Sequence, residues 1–290
     1  MTDVPVFRFA PSPNGYLHLG HGFSALLNEK LSQQVGGRLL LRIEDIDVGR
    51  CRPEFEAAIL EDCAWLGLTW EEPVRRQSDH FADYACAVER LDERGLIYPC
   101  FCTRAEIAAR VADIPNWPCD PDGSPLYPGT CKNMEPQEKV RRLASGQYAV
   151  QRLDMEEALA ETGQRLGWTE YSKEMQMREI SAEPHVWGDV VLARKDVPAS
   201  YHIAVVVDDN LQGVTDVVRG KDLFAATSLH RLLQDLLGFT PPRYHHHGLL
   251  ADEMGQKLAK SQKSKPLRQL REEGVSADEV RAQLGFGPKA

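Results

Sequence analysis

The stretch from residue 4 to residue 43 constrains this chain more than any other. Residues 4–9 have the composition of a short strand, Pro11 and Pro13 force a turn, and residues 22–34 carry Phe23, Leu26, Leu27 and Leu31 at helical spacing. A second strand reads over residues 38–43. Strand, turn, helix and strand make a β-α-β unit, and parallel strands joined by a crossover helix place the fold in the α/β class with a parallel sheet. Helical patterns over residues 54–65 and 81–94 extend that reading.

Beyond residue 98 the sequence becomes rich in Pro, Gly and Asp and carries cysteines as far as Cys131, the character of an inserted subdomain. The apolar run 201–207 and the pattern 213–218 read as strands through which the main sheet resumes, with a helix over 227–237. Ser276 followed by Glu279 is the capping-box signature of a last short helix. The expected division is 1–98 and 196–245 for the two halves of the sheet domain, 99–195 for the insert, and 246–290 for a loop and C-terminal helices.

Composition narrows the function classes. With 290 residues and 42% hydrophobic content a sizeable core is available. A formal charge of −9 argues against naming nucleic acid as a partner from composition alone, although Lys257, Lys260, Lys263, Lys265, Arg268 and Arg271 concentrate positive charge locally. No apolar run reaches membrane-spanning length and the N-terminus lacks signal-peptide character, so the expectation is a cytoplasmic protein without membrane contact. Seven cysteines in such a setting point to metal binding or packing and away from a disulfide framework.

Two clusters carry chemistry. His18 and His21 stand three apart on the first turn of the expected helix, where free N–H groups and the helix dipole favour phosphate, and Gly20 removes a side chain from the approach of a flat base. Far along the sequence, Lys257 and Lys260, followed by Ser261, can both reach one anion from a loop. The run His245, His246, His247 alternates across an expected strand, so its three rings cannot converge on one ion. Cys51, Cys63 and Cys86 have no partner spacing and read as packing residues, and His185, His202 and His230 as ordinary surface or core histidines.

In order and separation, His18-Leu-Gly-His21 and Lys257-Leu-Ala-Lys-Ser261 resemble the HIGH and KMSKS signatures of class I aminoacyl-tRNA synthetases. Residues 8–15, 42–47 and 218–222 are similar to the glutamyl members specifically, and the joint likeness spans residues 6–266. A shorter branch, the glutamyl-Q tRNA(Asp) synthetases, is more similar still in the wording of residues 205–215 and in length. The sequence ends at residue 290, soon after the lysine motif, and an anticodon-binding domain is therefore not expected.

The resemblance implies a Rossmann-like parallel-sheet catalytic domain with an inserted zinc-bearing subdomain and a short helical C-terminal part. It implies tRNA-independent activation of L-glutamate to glutamyl-adenylate by ATP, then transfer to the queuosine base at the wobble position of tRNA(Asp), by a monomer. Arg8, Phe9, Ala10, Pro11, Ser12, Glu44, Tyr201 and Arg219 would surround glutamate, with Glu44 suited to its ammonium. His18, Gly20, His21, Lys257, Lys260 and Ser261 would hold ATP, which Mg²⁺ accompanies; His18, His21, Lys257 and Lys260 would be catalytic. One structural Zn²⁺ would sit on Cys100, Cys102, Tyr127 and Cys131. Thiolate chemistry alone favours Cys119 over a phenolate as fourth donor, so Tyr127 rests on the resemblance. Two features depart from the family pattern: Ala259 replaces a usual serine, predicting weaker loop contact with ATP without loss of activity, and residues 105–126 form a long insertion. Charging of a tRNA 3′ end and a non-catalytic zinc-bearing RNA-binding module are the rival readings.

Overall fold

The computed structural model describes residues 4–163, 165–249 and 265–288. Strand β1 (Val6–Phe9), helix α1 (Leu19–Gln34) and strand β2 (Arg38–Ile43) form the expected β-α-β unit, with Val6 opposite Arg38 and Phe9 opposite Leu41. All four residues of β1 are buried, as in a strand covered on both faces. Helix α2 (Pro53–Trp65), opened by proline where no amide hydrogen is needed, leads to β3 (Glu71–Arg76), which adds parallel to β2.

Helix α3 (Phe81–Asp92) and strand β4 (Ile97–Cys100) lead into the cysteine-bearing region. It contains α4 (Arg104–Val111), capped reciprocally by Thr103 and Glu106, then α5 (Pro136–Ala144), β5 (Val150–Leu153), α6 (Met155–Thr162), β6 (Gly167–Tyr171), β7 (Met177–Ser181) and β8 (Val191–Arg194). Helix α7 (Tyr201–Leu211), β9 (Asp216–Gly220), α8 (Ala226–Leu237) and β10 (Arg243–His247) follow, and the last described elements are α9 (Leu267–Glu272) and α10 (Ala277–Gln283).

The large sheet has the order β3-β2-β1-β9-β10-β6-β7, parallel except for β7, which pairs antiparallel with β6. Strands β6 and β7 lie between residues 99 and 195, so part of the region expected as an insert extends the large sheet. A separate antiparallel sheet, β4-β5-β8, supports the cysteines. One core packs α3, α6, α7 and α8 together, a second lies among α1, α2, β1, β2 and the two C-terminal helices, and of two smaller ones, one gathers Val6, Leu40, Trp168 and Tyr244 and the other surrounds Cys100 and Cys131.

The run 201–207, expected as a strand, is the first part of helix α7. Ile203, Ala204, Val205, Val206 and Val207 are all buried, because the helix is wedged between α3 and α8. Over these five consecutive residues no side chain faces solvent, and a short apolar run then shows no period that separates it from a strand. Among the described residues, no helix is long and apolar enough to cross a membrane.

Candidate active site

Reading across the large sheet, sequence order runs β1, β2, β3 in one direction and β9, β10 in the other. The switch point therefore lies between β1 and β9, where open parallel sheets present a crevice at the carboxyl ends of their strands. Arg8 on β1, Arg219 on β9 and the loop from Ala10 to Pro13 stand there. Backbone bonds pin that loop: Glu44 N–H donates to the Pro11 carbonyl at 3.0 Å and Arg52 N–H to that of Pro13 at 3.1 Å. Phe9, Ala10, Pro11 and Ser12 are thus brought beside Glu44, which follows directly on β2.

A buried network of opposite charges sits beneath the crevice. Asp209 Oδ1 on α7 accepts from Arg8 Nε at 3.1 Å and from Arg42 Nη1 at 2.7 Å, and Arg42 Nη2 donates to Glu44 Oε1 at 3.0 Å. Among the described residues, the terminal nitrogens of Arg8 have no hydrogen-bond partner, and such a fork can take a carboxylate. Arg219 donates through Nε to His246, through Nη1 to His230 and Tyr201, and through Nη2 to Thr227. Four of its five N–H groups are engaged, leaving one on Nη2 for a ligand. Asp209, Arg42, His230 and His246 were not among the residues expected to form the site.

Burial raises the Glu44 carboxyl above its ordinary 4.5, against the opposing pull of Arg42 and Arg8. Only the ionised form can hold an ammonium, and a raised group takes up its proton at a higher pH as the solution is acidified. The KM for an amino-acid substrate is therefore expected to climb with falling pH, beginning above the range of an exposed glutamate. Glu44→Gln is expected to raise KM and flatten this profile; an unchanged pH dependence in the variant would count against the assignment.

At the N-terminus of α1 the two histidines cap each other. His18 Nδ1 accepts from the Gly20 amide at 3.0 Å, and His21 Nδ1 accepts from the His18 amide at 3.2 Å. With both Nδ1 atoms accepting, each neutral ring carries its proton on Nε2. Burial lowers both groups, His21 to about 4 with help from His18, so both are uncharged donors near neutrality. Gly20 leaves room for this packing: a Cβ there would lie 2.8 Å from His18 Cε1 and would push the capping ring aside. The bare backbone makes room for the capping ring.

Pro266 bridges to His18, and the Leu267 amide donates to the Leu17 carbonyl at 2.8 Å, so the residues that follow the lysine motif lie against this helix end. Lys257, Lys260 and Ser261, with Ala259, fall outside the described residues. Of the basic cluster, Lys265, Arg268 and Arg271 pair with Glu273, Glu272 and Glu61, which cancels much of their charge locally.

A cleft of about 950 Å³ runs between the large sheet and the cysteine-bearing region. Ser12, Glu44, Tyr201 and His202 line it, as do Cys102 and Tyr127. Arg8 and Arg219 are not among its lining residues, and both are nearly buried.

The thiols of Cys100, Cys102 and Cys131 lie within 4.8 Å of one another, with Cys102 and Cys131 3.6 Å apart. Tetrahedral thiolate ligands at about 2.3 Å from zinc stand about 3.8 Å from one another, so the spacing fits a metal. Tyr127 completes the corner: its hydroxyl lies 3.7 Å from Cys102 Sγ and accepts from the Cys131 amide at 2.7 Å. Cys119 is exposed, lies outside this group, and has its thiol 4.0 Å from the Trp117 carbonyl. Cys63 is a packing residue as expected, whereas Cys86 is exposed and Cys51 half-buried beside Ser12.

The family model described as the catalytic domain of class I tRNA synthetases (E and Q) matches residues 5–284. Over 288 residues the sequence is 45% identical to a glutamyl-Q tRNA(Asp) synthetase of Rhodobacter capsulatus, a match that takes in 97% of this chain and 100% of that one. The chain belongs to this class I family, in its glutamyl-Q tRNA(Asp) synthetase branch. A relative of the same name in Deinococcus radiodurans is 41% identical, over 96% of this chain and 86% of its own. Among solved structures, a glutamate-tRNA synthetase of Elizabethkingia anophelis superposes with a TM-score of 0.72 at 26% identity. That match covers 88% of this chain, which spans about half of that larger synthetase, 52% of its length. Membership in the family makes this chain an ATP-using ligase.

Proposed function

We propose that this protein activates L-glutamate with ATP in the absence of tRNA, forming glutamyl-adenylate, and then transfers the glutamyl group to the queuosine base at the wobble position of tRNA(Asp). The observation that carries the reading is the set of charges at the switch point, where Arg8 on β1 and Arg219 on β9 are on neighbouring strands and Glu44 follows β2 on the far side of β1. A dicarboxylic amino acid needs two cationic groups and one anionic group, and a neutral side chain would leave a buried cation unpaired. Tyr201, with Phe9, Ala10, Pro11 and Ser12, completes the wall against glutamate.

ATP lies on the other side of the loop, its phosphates at the N-terminus of α1, where His18 and His21 donate from Nε2 and Gly20 permits their packing. Lys257, Lys260 and Ser261 would supply further donors to the same phosphates, and Mg²⁺ bound with ATP would offset phosphate charge. Catalysis is positioning together with charge stabilisation as pyrophosphate leaves. The protein works as a monomer. Cys100, Cys102, Cys131 and Tyr127 would hold Zn²⁺, which would brace a region whose own apolar core is small. Cys131→Ser is expected to lose the metal and increase proteolysis between residues 99 and 150, while Cys119→Ser retains one zinc per molecule by elemental analysis.

The deciding experiment supplies the protein with ATP, labelled glutamate and tRNA(Asp) with or without queuosine. Label only on the queuosine-containing tRNA, stable to removal of the tRNA 3′ end, supports the reading. Label on queuosine-free tRNA indicates 3′-end charging. Absence of glutamate-dependent ATP–pyrophosphate exchange without tRNA would indicate a non-catalytic RNA-binding module.

A further inference from the structure

Arg219 is surrounded by histidines that the reaction outlined above does not use. Its guanidinium can only donate hydrogen bonds, and this fixes the protons on the rings around it. Arg219 Nη1 lies 3.2 Å from His230 Nδ1, which must therefore accept, leaving the His230 proton on Nε2. That Nε2 is 3.2 Å from His202 Nδ1, which must accept in turn. The His202 proton is then on Nε2. On its other side, Arg219 Nε donates to His246 Nε2 at 3.2 Å, and His246 accordingly turns its Nδ1–H to Glu170 at 2.9 Å.

His230 is sealed in the protein, but His202 lines the cleft next to Tyr201, Glu44 and Ser12. Its Nε2 has no partner among the described residues. His245 and His247 also have Nε2 atoms without partners, but theirs are closed off from solvent, whereas that of His202 is not. One end of the relay is thus anchored by a permanent cation, and the other opens on the cleft.

We propose that Arg219, acting through His230, holds His202 as its Nε2–H tautomer and makes it a neutral hydrogen-bond donor to a carboxylate oxygen of the amino-acid substrate. The inference rests on the glutamate reading of the site. His202 contacts the substrate, and His230 is a positioning residue. Burial lowers both rings, His202 to about 4, with Arg219 opposing their protonation as well, so the relay keeps its proton order across neutral pH. A neutral donor adds a directed bond to a carboxylate already faced by an arginine without placing a further charge beside it.

The two nitrogens of His202 can be tested apart. Asparagine places its amide oxygen near the position of Nδ1 and can accept from His230, but does not reach the cleft. Glutamine places its amide nitrogen near Nε2 and can donate to the cleft, but leaves His230 without an acceptor. In tRNA-independent ATP–pyrophosphate exchange, His202→Asn is expected to raise the KM for glutamate roughly 10- to 100-fold, the range for a lost hydrogen bond to a charged group. His202→Gln is expected to stay within about threefold of the parent. A purely structural role predicts the reverse order, and either that result or a parental KM in both variants overturns the proposal. Independently, ¹⁵N-histidine spectra of the parent protein between pH 6 and 8 should show both His202 and His230 as Nε2–H tautomers; a proton on Nδ1 of either ring also overturns it. If the parent shows no glutamate-dependent exchange, the glutamate reading fails first, while the spectra still decide the relay.

Discussion

Asp209→Ala is expected to lower the stability of the fold by about 3–5 kcal/mol, the usual cost of removing one partner from a buried ion pair. Asp209 Oδ1 is shared by Arg8 and Arg42, and Arg42 is completely buried. Without that carboxylate, Arg8 loses its ion-pair partner and Arg42 retains Glu44, Gln212 and, at 3.8 Å, Asp208. Urea denaturation should show the midpoint falling. Arg38→Ala, which breaks the exposed pair with Glu71, should cost no more than about 1 kcal/mol although its bonds are as short. Equal effects from the two substitutions would show that burial does not govern the outcome.

The same residue also has a definite pH signature. Burial works against the charge on Asp209, but Arg8 and Arg42 outweigh it and hold the carboxyl below its ordinary 3.8. A depressed acid binds fewer protons folded than unfolded, so its contribution is complete above 3.8 and is lost as pH falls through the lower folded value. The expected signature is a loss of stability confined to the acid limb, and Asp209→Ala should remove that part of the acid dependence. Activity should fall as well, because the released Arg8 is no longer aimed at the crevice.

What could be read from the residues follows the range of the interactions. The β1-α1-β2 unit was legible because its prolines, helix spacing and second strand are close in sequence. The trio Cys100, Cys102 and Cys131 was also legible, since two thiols are nearly adjacent and the third follows within one subdomain. Asp209 was not, because the Arg8 it binds is 201 positions away and nothing local in a helix end distinguishes a buried carboxylate from a solvated one. Helix α7 was misread because residues 203–207 are all buried, which left its apolar run without a period. His202 and His230 looked ordinary because a ring's proton is set by what it faces, and Arg219 comes from another element.

His21→Ala is expected to slow glutamate-dependent ATP–pyrophosphate exchange by about 10²–10³-fold, the typical cost of removing one preorganised donor from developing charge. It should leave the KM for glutamate near the parental value, because the ring caps α1 and glutamate's proposed contacts lie on β1, β2, α7 and β9. The substitution also removes an acceptor from the His18 amide, worth about 1 kcal/mol of stability. His21→Asn separates the two effects, since its short amide can restore the cap but does not reach the position of Nε2. Stability should return while the rate stays low. Because His21 titrates near 4, the parent's exchange rate should show no inflection from this ring between pH 6 and 8. A rate that rises toward acid with an inflection in that window, absent from His21→Asn, would mean that the phosphates are met by an imidazolium and that the neutral-donor account of this helix end is wrong.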